Sequence, residues 1–469
     1  MPAKAQTSAK SQAARQQRRP PLKGIPKLVI SPRAARRKTY DPDAVHLFQY
    51  EARAHTELPH VVKFSGGRSS GMMLFTLLEA GMLKPERGDV VIFNNTSAEH
   101  PETYRFTREC KEQVEKRYRI PFFWVEFQTY EDARRGQWTR LPSYRLVKPT
   151  PWSEDNPDGY HWKGEAFEEM LSWAGFVPNQ FQRICTKHLK LKTTRLFLRD
   201  WFACKEGIER QGHYGNASRL NDTAMLDRHR RHRGGVPEDI FFEKKAYMRS
   251  RPFFRPEQRF ADFSAVVQPI QNASLDGKSY GNNAYFGENG VEYIAFVGLR
   301  YDEMHRVLKV QKRNAGESET GGPELDGYEG EHVYMPLAEM KVAKEDIDNF
   351  WAGQKWDLGF SSDAELSNCV FCFLKGVNKL RRAQETMRQN GNGIAAGTPC
   401  DLEWWKRIEN DYGRNLIAEK REIRGNVSGD FIGFFGASSG FSYDLLAQAE
   451  QGKDLSQFEG SVLPCDCTD

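Results

Sequence analysis

Residues Val61 to Phe75 read VVKFSGGRSSGMMLF, and this order limits the possible fold more than any other stretch of the chain. Val61, Val62 and Phe64 form a short apolar run of the kind a buried parallel strand shows. Met72, Met73, Phe75, Leu77 and Leu78 then give the following segment a helical apolar face. Between the two lies Ser65-Gly66-Gly67-Arg68-Ser69-Ser70-Gly71. Adjacent glycines accept positive φ and let another group approach the backbone closely. Successive N–H groups can then converge on an anion at the helix N-terminus, with the hydroxyls and Arg68 as further donors. The spacing is neither G-x-x-x-x-G-K-S/T nor G-x-G-x-x-G. An ordinary Gly/Ser-rich turn shares the composition, but the layout is that of a nucleotide site in outline.

Downstream, a strand is expected at Asp89 to Asn94, then a helix opened by Pro101, with Phe106, Cys110 and Val114 on one face, then a strand at Phe122 to Phe127. Strand alternating with helix predicts an α/β fold with a parallel, doubly wound sheet, whose ligands bind beyond the carboxyl ends of the strands. The 65–71 loop and the polar stretch Asn94 to Glu99 both sit at such ends. Residues 130 to 180 read as irregular apart from a helix near Ala166 to Trp173. Leu189, Thr193, Leu196, Phe197 and Trp201 share a helical face, which puts Cys185 just before or within the first turn, where the dipole and nearby cations favour a thiolate. A further buried strand is expected at Tyr293 to Val297. It leads to Arg300 and Arg306, whose guanidinium forks suit phosphate or sulfate oxygens as well as a surface ion-pair cluster.

Charge divides the chain. Eleven of the 68 Lys and Arg residues, and none of the 63 Asp and Glu, fall in residues 1–40, so the rest carries 57 basic against 63 acidic residues. Residues 1–50 therefore read as a disordered basic tail. An insertion at about 205–285 holds RHRRHRGG and KKAYMRSRPFFRPEQRF, whose cations and aromatics suit a single-stranded nucleic acid or an ordinary charged loop. The domain reading is a nucleotide-binding α/β unit over 56–310 and a mainly helical, cysteine-bearing C-terminal domain over 336–469. There, Asp401 can cap a helix carrying a Trp404, Trp405, Ile408, Tyr412 stripe. No apolar run approaches the about 20 residues that span a bilayer, so no membrane partner is expected and the protein reads as cytoplasmic.

Eight cysteines without a secretion signal argue for thiol or metal chemistry. Cys369 and Cys372 form a C-x-x-C, and Cys185 and Cys400 are its natural completions. Zinc and a 4Fe–4S cluster would each accept all four thiolates, whereas a redox dithiol would use only the pair. Cys110 reads as a buried thiol.

Taken in order, SGGRSSG, FNNTSAEHPETYRF, RICTKHLKLK, VGLRYDE and NCVFCFLKG resemble the motifs of the phosphoadenosine phosphosulfate (PAPS) reductase-like family over about 60–200 and 290–385. The loop resembles the PP-loop, S-G-G-x-D-S, of the adenine nucleotide alpha hydrolase superfamily. That family contains sulfonucleotide reductases and iron–sulfur enzymes that thiolate DNA or tRNA. The resemblance implies ATP or PAPS as nucleotide, with magnesium admissible, and phosphates held by Ser65, Gly66, Gly67, Arg68, Ser69 and Ser70. It places Asn95, Thr96 and Glu99 near the nucleotide, and Arg300 and Arg306 near its anionic end. It favours a cluster over zinc, on Cys185, Cys369 and Cys372, with Cys400 the less secure ligand. It further implies a sulfur-donor or thiol-reductant protein as partner.

Two departures stand out. Ser69 replaces the PP-loop Asp, and the E-C-G-x-H motif of the reductases is missing, with only Cys465 and Cys467 in a comparable terminal position. The leading expectation is sulfur transfer to a nucleic acid through acceptor adenylation. Its alternatives are reductive release of sulfite from a sulfonucleotide, in which Cys465 or Cys467 attacks sulfur, and a non-catalytic nucleotide-binding module.

Overall fold

The computed structural model describes residues 50–132, 139–179, 182–203, 286–287, 290–314, 330–361, 364–389, 395–415, 431–436, 439–449 and 454–458. All of the basic tail but Tyr50 and the whole of the 205–285 insertion, together with Cys204, Cys465 and Cys467, lie outside the described residues. The stretch around the glycine turn forms as its pattern predicts. Strand β1 (His60–Phe64) is buried at every position, and helix α1 (Arg68–Glu79) follows the turn. Strand β2 (Val90–Asn95) leads to helix α2 (Pro101–Tyr118), where Pro101 occupies the first turn and His100 Nδ1 accepts the Glu102 amide. Phe106, Cys110 and Val114 are fully buried along one face, which leaves Cys110 a thiol whose pKa burial pushes well up.

Strand β3 (Phe122–Asp132) runs five residues further than expected, and β4 (Thr139–Pro151) pairs with it antiparallel. The wholly parallel sheet and the irregular reading of 130–180 are thereby corrected. The prolines of β4 hid it: Pro142, Pro149 and Pro151 cannot donate to a ladder, so a run that holds three of them does not read as an interior strand. Only the two-residue strand β5 (Gly159–Tyr160) lies beyond it. On the other side of β1, strand β6 (Tyr293–Val297) and then β7 (Glu331–Tyr334) complete a seven-stranded sheet of order β5-β4-β3-β2-β1-β6-β7. All pairs from β3 through β7 are parallel.

Both faces of the central strands are covered. Val62, Phe64, Val91 and Phe93 pack with Met72, Phe75 and Phe106 of α1 and α2, while Val61, Val90, Ile92 and Ala295 meet Leu196, Phe197 and Trp201. The latter three lie on helix α4 (Thr193–Ala203), and helix α3 (Glu165–Ala174) packs beside β3. Each large side chain buried in this way contributes about 1.5–3 kcal/mol relative to exposure. Trp351, on helix α6 (Lys344–Ala352), lies against α1, where a Cβ on Gly71 would sit 2.6 Å from its ring.

A further core joins α3 and the segment before α4 to residues 364–458. It contains helices α7 (Val377–Gln389), α8 (Leu402–Tyr412) and α9 (Tyr443–Gln448). Asp401 Oδ1 accepts the Glu403 amide at 3.0 Å as an N-cap, and the Trp404, Trp405, Ile408, Tyr412 stripe is at most 2 % exposed, so it is core. Among the described residues no helix is long and apolar enough to cross a membrane.

Candidate functional site

The glycine turn emerges at the carboxyl end of β1. Gly66 has φ +79°, and a Cβ there would lie 2.6 Å from Thr103 Cγ2 and 3.1 Å from the Phe93 ring, so only glycine fits. Ser65 and Ser70 brace the turn: the Ser65 amide donates to Ser70 Oγ at 3.2 Å, the two hydroxyls are 2.9 Å apart, and Ser70 Oγ donates to Gly67 O at 3.0 Å. Gly67 is the N-cap of α1. From β6, Gly298 approaches so closely that an added Cβ would stand 2.9 Å from Ser70 Cα. Arg300, two residues later, places Nη1 3.1 Å from Ser69 Oγ.

Arg68 and Arg306 are directed elsewhere. Arg68 makes a two-pronged pair with Asp357, each contact 2.8 Å, and donates to the carbonyls of Leu358 at 3.0 Å and Phe360 at 2.7 Å. Its guanidinium thus ties α1 to the strand of chain leading toward the C-x-x-C. Arg306 is buried on helix α5 (Met304–Asn314) and pairs with Glu303. Of the two arginines expected near the anion, the structure brings Arg300 to the loop.

The β2 loop is held in a strained form by buried polar groups. Asn95 donates to Glu126 Oε1 and His161 O, both at 2.7 Å, and its Oδ1 accepts the Ser97 amide at 2.9 Å. Asn95 therefore acts as scaffold. Ser97 has φ +60°, a left-handed conformation costly for a non-glycine residue. It is offset by bonds to the start of α3: Ser97 Oγ accepts the Ala166 amide at 2.9 Å, and Ser97 O accepts that of Gly164 at 2.9 Å. The outcome is a fixed placement of Thr96 and Glu99. Glu99 is buried and accepts from Thr96 Oγ1 at 2.6 Å, Tyr104 Oη at 3.1 Å and the Ala98 amide at 3.1 Å. Burial raises its pKa, while the Thr96 bond and Lys190 act in the opposite sense.

The cysteine loop docks onto this same loop. Glu99 and Cys369 form an antiparallel bridge, the Val370 amide donates to Ala98 O at 3.1 Å, and Thr96 Oγ1 lies 3.4 Å from Cys369 Sγ. The buried Lys375 ammonium braces the turn from within by donating to Val370 O at 2.8 Å, and Tyr443 Oη donates to Phe371 O. Cys185, Cys369 and Cys372 line one pocket with Thr96 and Lys190, walled by Phe167, Leu189, Phe373 and Trp405. Cys185 immediately precedes a π-helical stretch, Thr186–Lys192, that runs into α4. Cys400 is not on that wall. Its sulfur is 4.0 Å from Glu99 O, and burial, with Glu99 and Asp401, pushes its thiol up to about 12. Among the described residues no three His, Cys, Asp or Glu side chains form a ready-made site for a metal ion.

An adjoining pocket is lined by Lys63, Ser65, Asn94, Glu99, Lys190 and Thr194. Lys190 belongs to the walls of both pockets, and the Thr96–Glu99 bond links one to the other. Sequence reasoning singled out Ser65 and Glu99 here, and Asn94 as the start of a polar stretch at a strand end, but missed Lys63, Lys190 and Thr194. A lysine inside the apolar run VVKF was the available signal for Lys63, which is buried and paired with Glu331 of β7. Lys190 was visible as a cation five residues after Cys185, but its place on the pocket wall depends on the π-helical winding. No family model, curated protein or solved structure matches this chain.

Proposed function

We propose that this chain is a PAPS reductase-like enzyme that binds an adenine nucleotide at Ser65–Gly71 and transfers sulfur to a nucleic acid. In this reading the sheet is the doubly wound sheet of the adenine nucleotide alpha hydrolases, and residues 364–458 form a mainly helical cysteine-bearing unit. One observation carries the proposal: the pocket lined by Ser65, the first residue of the glycine turn, with Lys63, Asn94 and Glu99, and the pocket lined by Cys185, Cys369 and Cys372 share the wall residue Lys190. A phosphate-binding turn and a thiol cluster have little reason to adjoin unless one reaction uses both.

The chain's own groups have definite work in such a reaction. Amides at the start of α1, with Ser69 and Arg300, hold the phosphates of ATP and stabilise charge on departing pyrophosphate. Adenylation converts an oxygen of the acceptor into a good leaving group, and sulfur presented from the cysteine pocket displaces AMP. Lys190 supplies a cation to the anions on either side.

The donor set suits a thiolate-ligated group. Three cysteines line one largely apolar pocket, and thiolates are the ligands such a group uses. Cys185, Cys369 and Cys372 would hold a cluster in this reading, with zinc as the alternative metal. A 4Fe–4S cluster with one iron lacking a protein ligand would supply a seat for sulfide. Anaerobic purification should yield iron and labile sulfide, and calorimetric titration should show ATP binding. Incubation with ATP, a sulfur donor and nucleic acid should release pyrophosphate and AMP. Sulfite from PAPS without ATP cleavage would replace this reading with reductive cleavage, and binding of neither nucleotide by folded protein would end it.

A further inference from the structure

Four large hydrophobic side chains are exposed among the described residues, and three of them lie within eight positions: Tyr301 at 39 %, Met304 at 36 % and Leu308 at 50 %. Tyr301 opens a short 3-10 turn that runs into α5, and Met304, Leu308 and Lys312 then recur every four residues, so they share one helical face. Helix α5 contains no acidic residue, and His305, Lys309 and Lys312 are exposed along it. The acids just before it are engaged: Asp302 by Arg300 and the Lys344 amide, Glu303 by Arg306. Lys341 Nζ stands 5.9 Å from the centroid of the Tyr301 ring. The patch is thus a ring and an apolar ridge bordered by cations.

Its position relates it to the glycine turn. Tyr301 directly follows Arg300, whose guanidinium is 3.1 Å from Ser69 Oγ. We propose that the Tyr301, Met304, Leu308 face, bordered by Lys309, Lys312 and Lys341, is the docking surface for a single-stranded nucleic acid. The inference rests on the nucleic-acid acceptor of the proposed function and places that acceptor. Bases stack on the ring and ridge while phosphates meet the cations, and a strand seated there runs past Arg300 toward the bound nucleotide. Charge complementarity selects the occupant, because an acid-free cationic helix meets a polyanion without like-charge repulsion. A duplex keeps its bases stacked inward and offers this ridge no apolar surface, so unpaired bases are required.

The test uses the full chain and a fluorescein-labelled single strand of about 12 nucleotides, read by anisotropy across a salt series, with ATP titrated in parallel. Wild type should bind with an affinity that falls as salt rises. Tyr301→Ala should weaken binding on the order of tenfold, and Tyr301→Phe should restore it. The pair Lys309→Glu and Lys312→Glu should reduce the log–log salt slope by about one to two, with ATP affinity unchanged in every variant. A strand carrying 5-iodouridine should photocrosslink within residues 301–312. Strand binding unchanged in all variants, with crosslinks elsewhere, overturns this surface and leaves the acceptor reading standing. Variants that bind the strand normally but lose self-association would make the face an interface between two copies and also overturn it. No strand binding by wild type overturns both the surface and the nucleic-acid acceptor, while intact ATP binding would preserve the nucleotide site.

Discussion

One side chain on α8 should contribute stability that falls as pH rises from about 4.5 to about 7. Glu409 is 3 % exposed, and both of its oxygens are used: Oε1 accepts the Phe434 amide at 2.9 Å and Oε2 the Tyr443 amide at 2.8 Å. Burial raises its pKa from an ordinary 4.5 to about 7, outweighing the two amides, which act to lower it. Between those values the folded chain keeps a proton that the unfolded chain has released, so the stability present at low pH is lost as pH climbs through the folded pKa. A shift from 4.5 to about 7 corresponds to about 3 kcal/mol across the window.

Glu409→Gln removes the titration but turns an amide donor toward one of the two N–H groups, costing about 1–3 kcal/mol at every pH. Wild type should therefore exceed the variant most near the acid end, and its margin should shrink by about 3 kcal/mol toward the alkaline end. Urea unfolding followed by tryptophan emission measures this, because Trp404 and Trp405 share a core with Phe434 and Tyr443. A margin constant with pH would refute the reasoning. The effect should extend to the cysteine loop, since Tyr443 also bonds Phe371 O.

Gly66→Ala places a Cβ 2.6 Å from Thr103 at φ +79°, and left-handed strain plus overpacking should cost about 2–5 kcal/mol. Thermal unfolding would show the loss, and calorimetry should show ATP binding disappearing with it. Lys63→Met alone leaves Glu331 charged and buried, which should cost about 3–5 kcal/mol, whereas adding Glu331→Leu should recover most of that. Equal stability of the single and double variants in chemical denaturation would contradict a buried ion pair. Lys190→Ala should weaken ATP binding and lower the iron content of anaerobically purified protein together, because the residue walls both pockets. Loss of one property without the other would show that the pockets do not share it functionally.

Local pattern carried much of this fold. The apolar run of β1, the double glycine and the buried stripe of α1 are each visible within a dozen residues, because a strand's two-residue period and a helix's 3.6-residue period report which side chains turn inward. The four-residue spacing of Phe106, Cys110 and Val114 and the Asp401 cap are signals of the same local kind. They also put the glycine turn and the Asn94–Glu99 stretch at the carboxyl ends of parallel strands, and the register of β1 and β2 makes those two strands neighbours. Pairing across distance left no such mark. The prolines of β4 argue against a strand until β3 is there to bond it, and β7 is four residues long, too short for a period to register. The commitment of Arg68 to Asp357, 289 positions away, and the burial of Cys400 against Glu99 rather than on the cysteine pocket are tertiary decisions. A sequence shows which side chains can donate, accept or ligate, but which partner each meets depends on how remote segments pack, and no local periodicity encodes that contact.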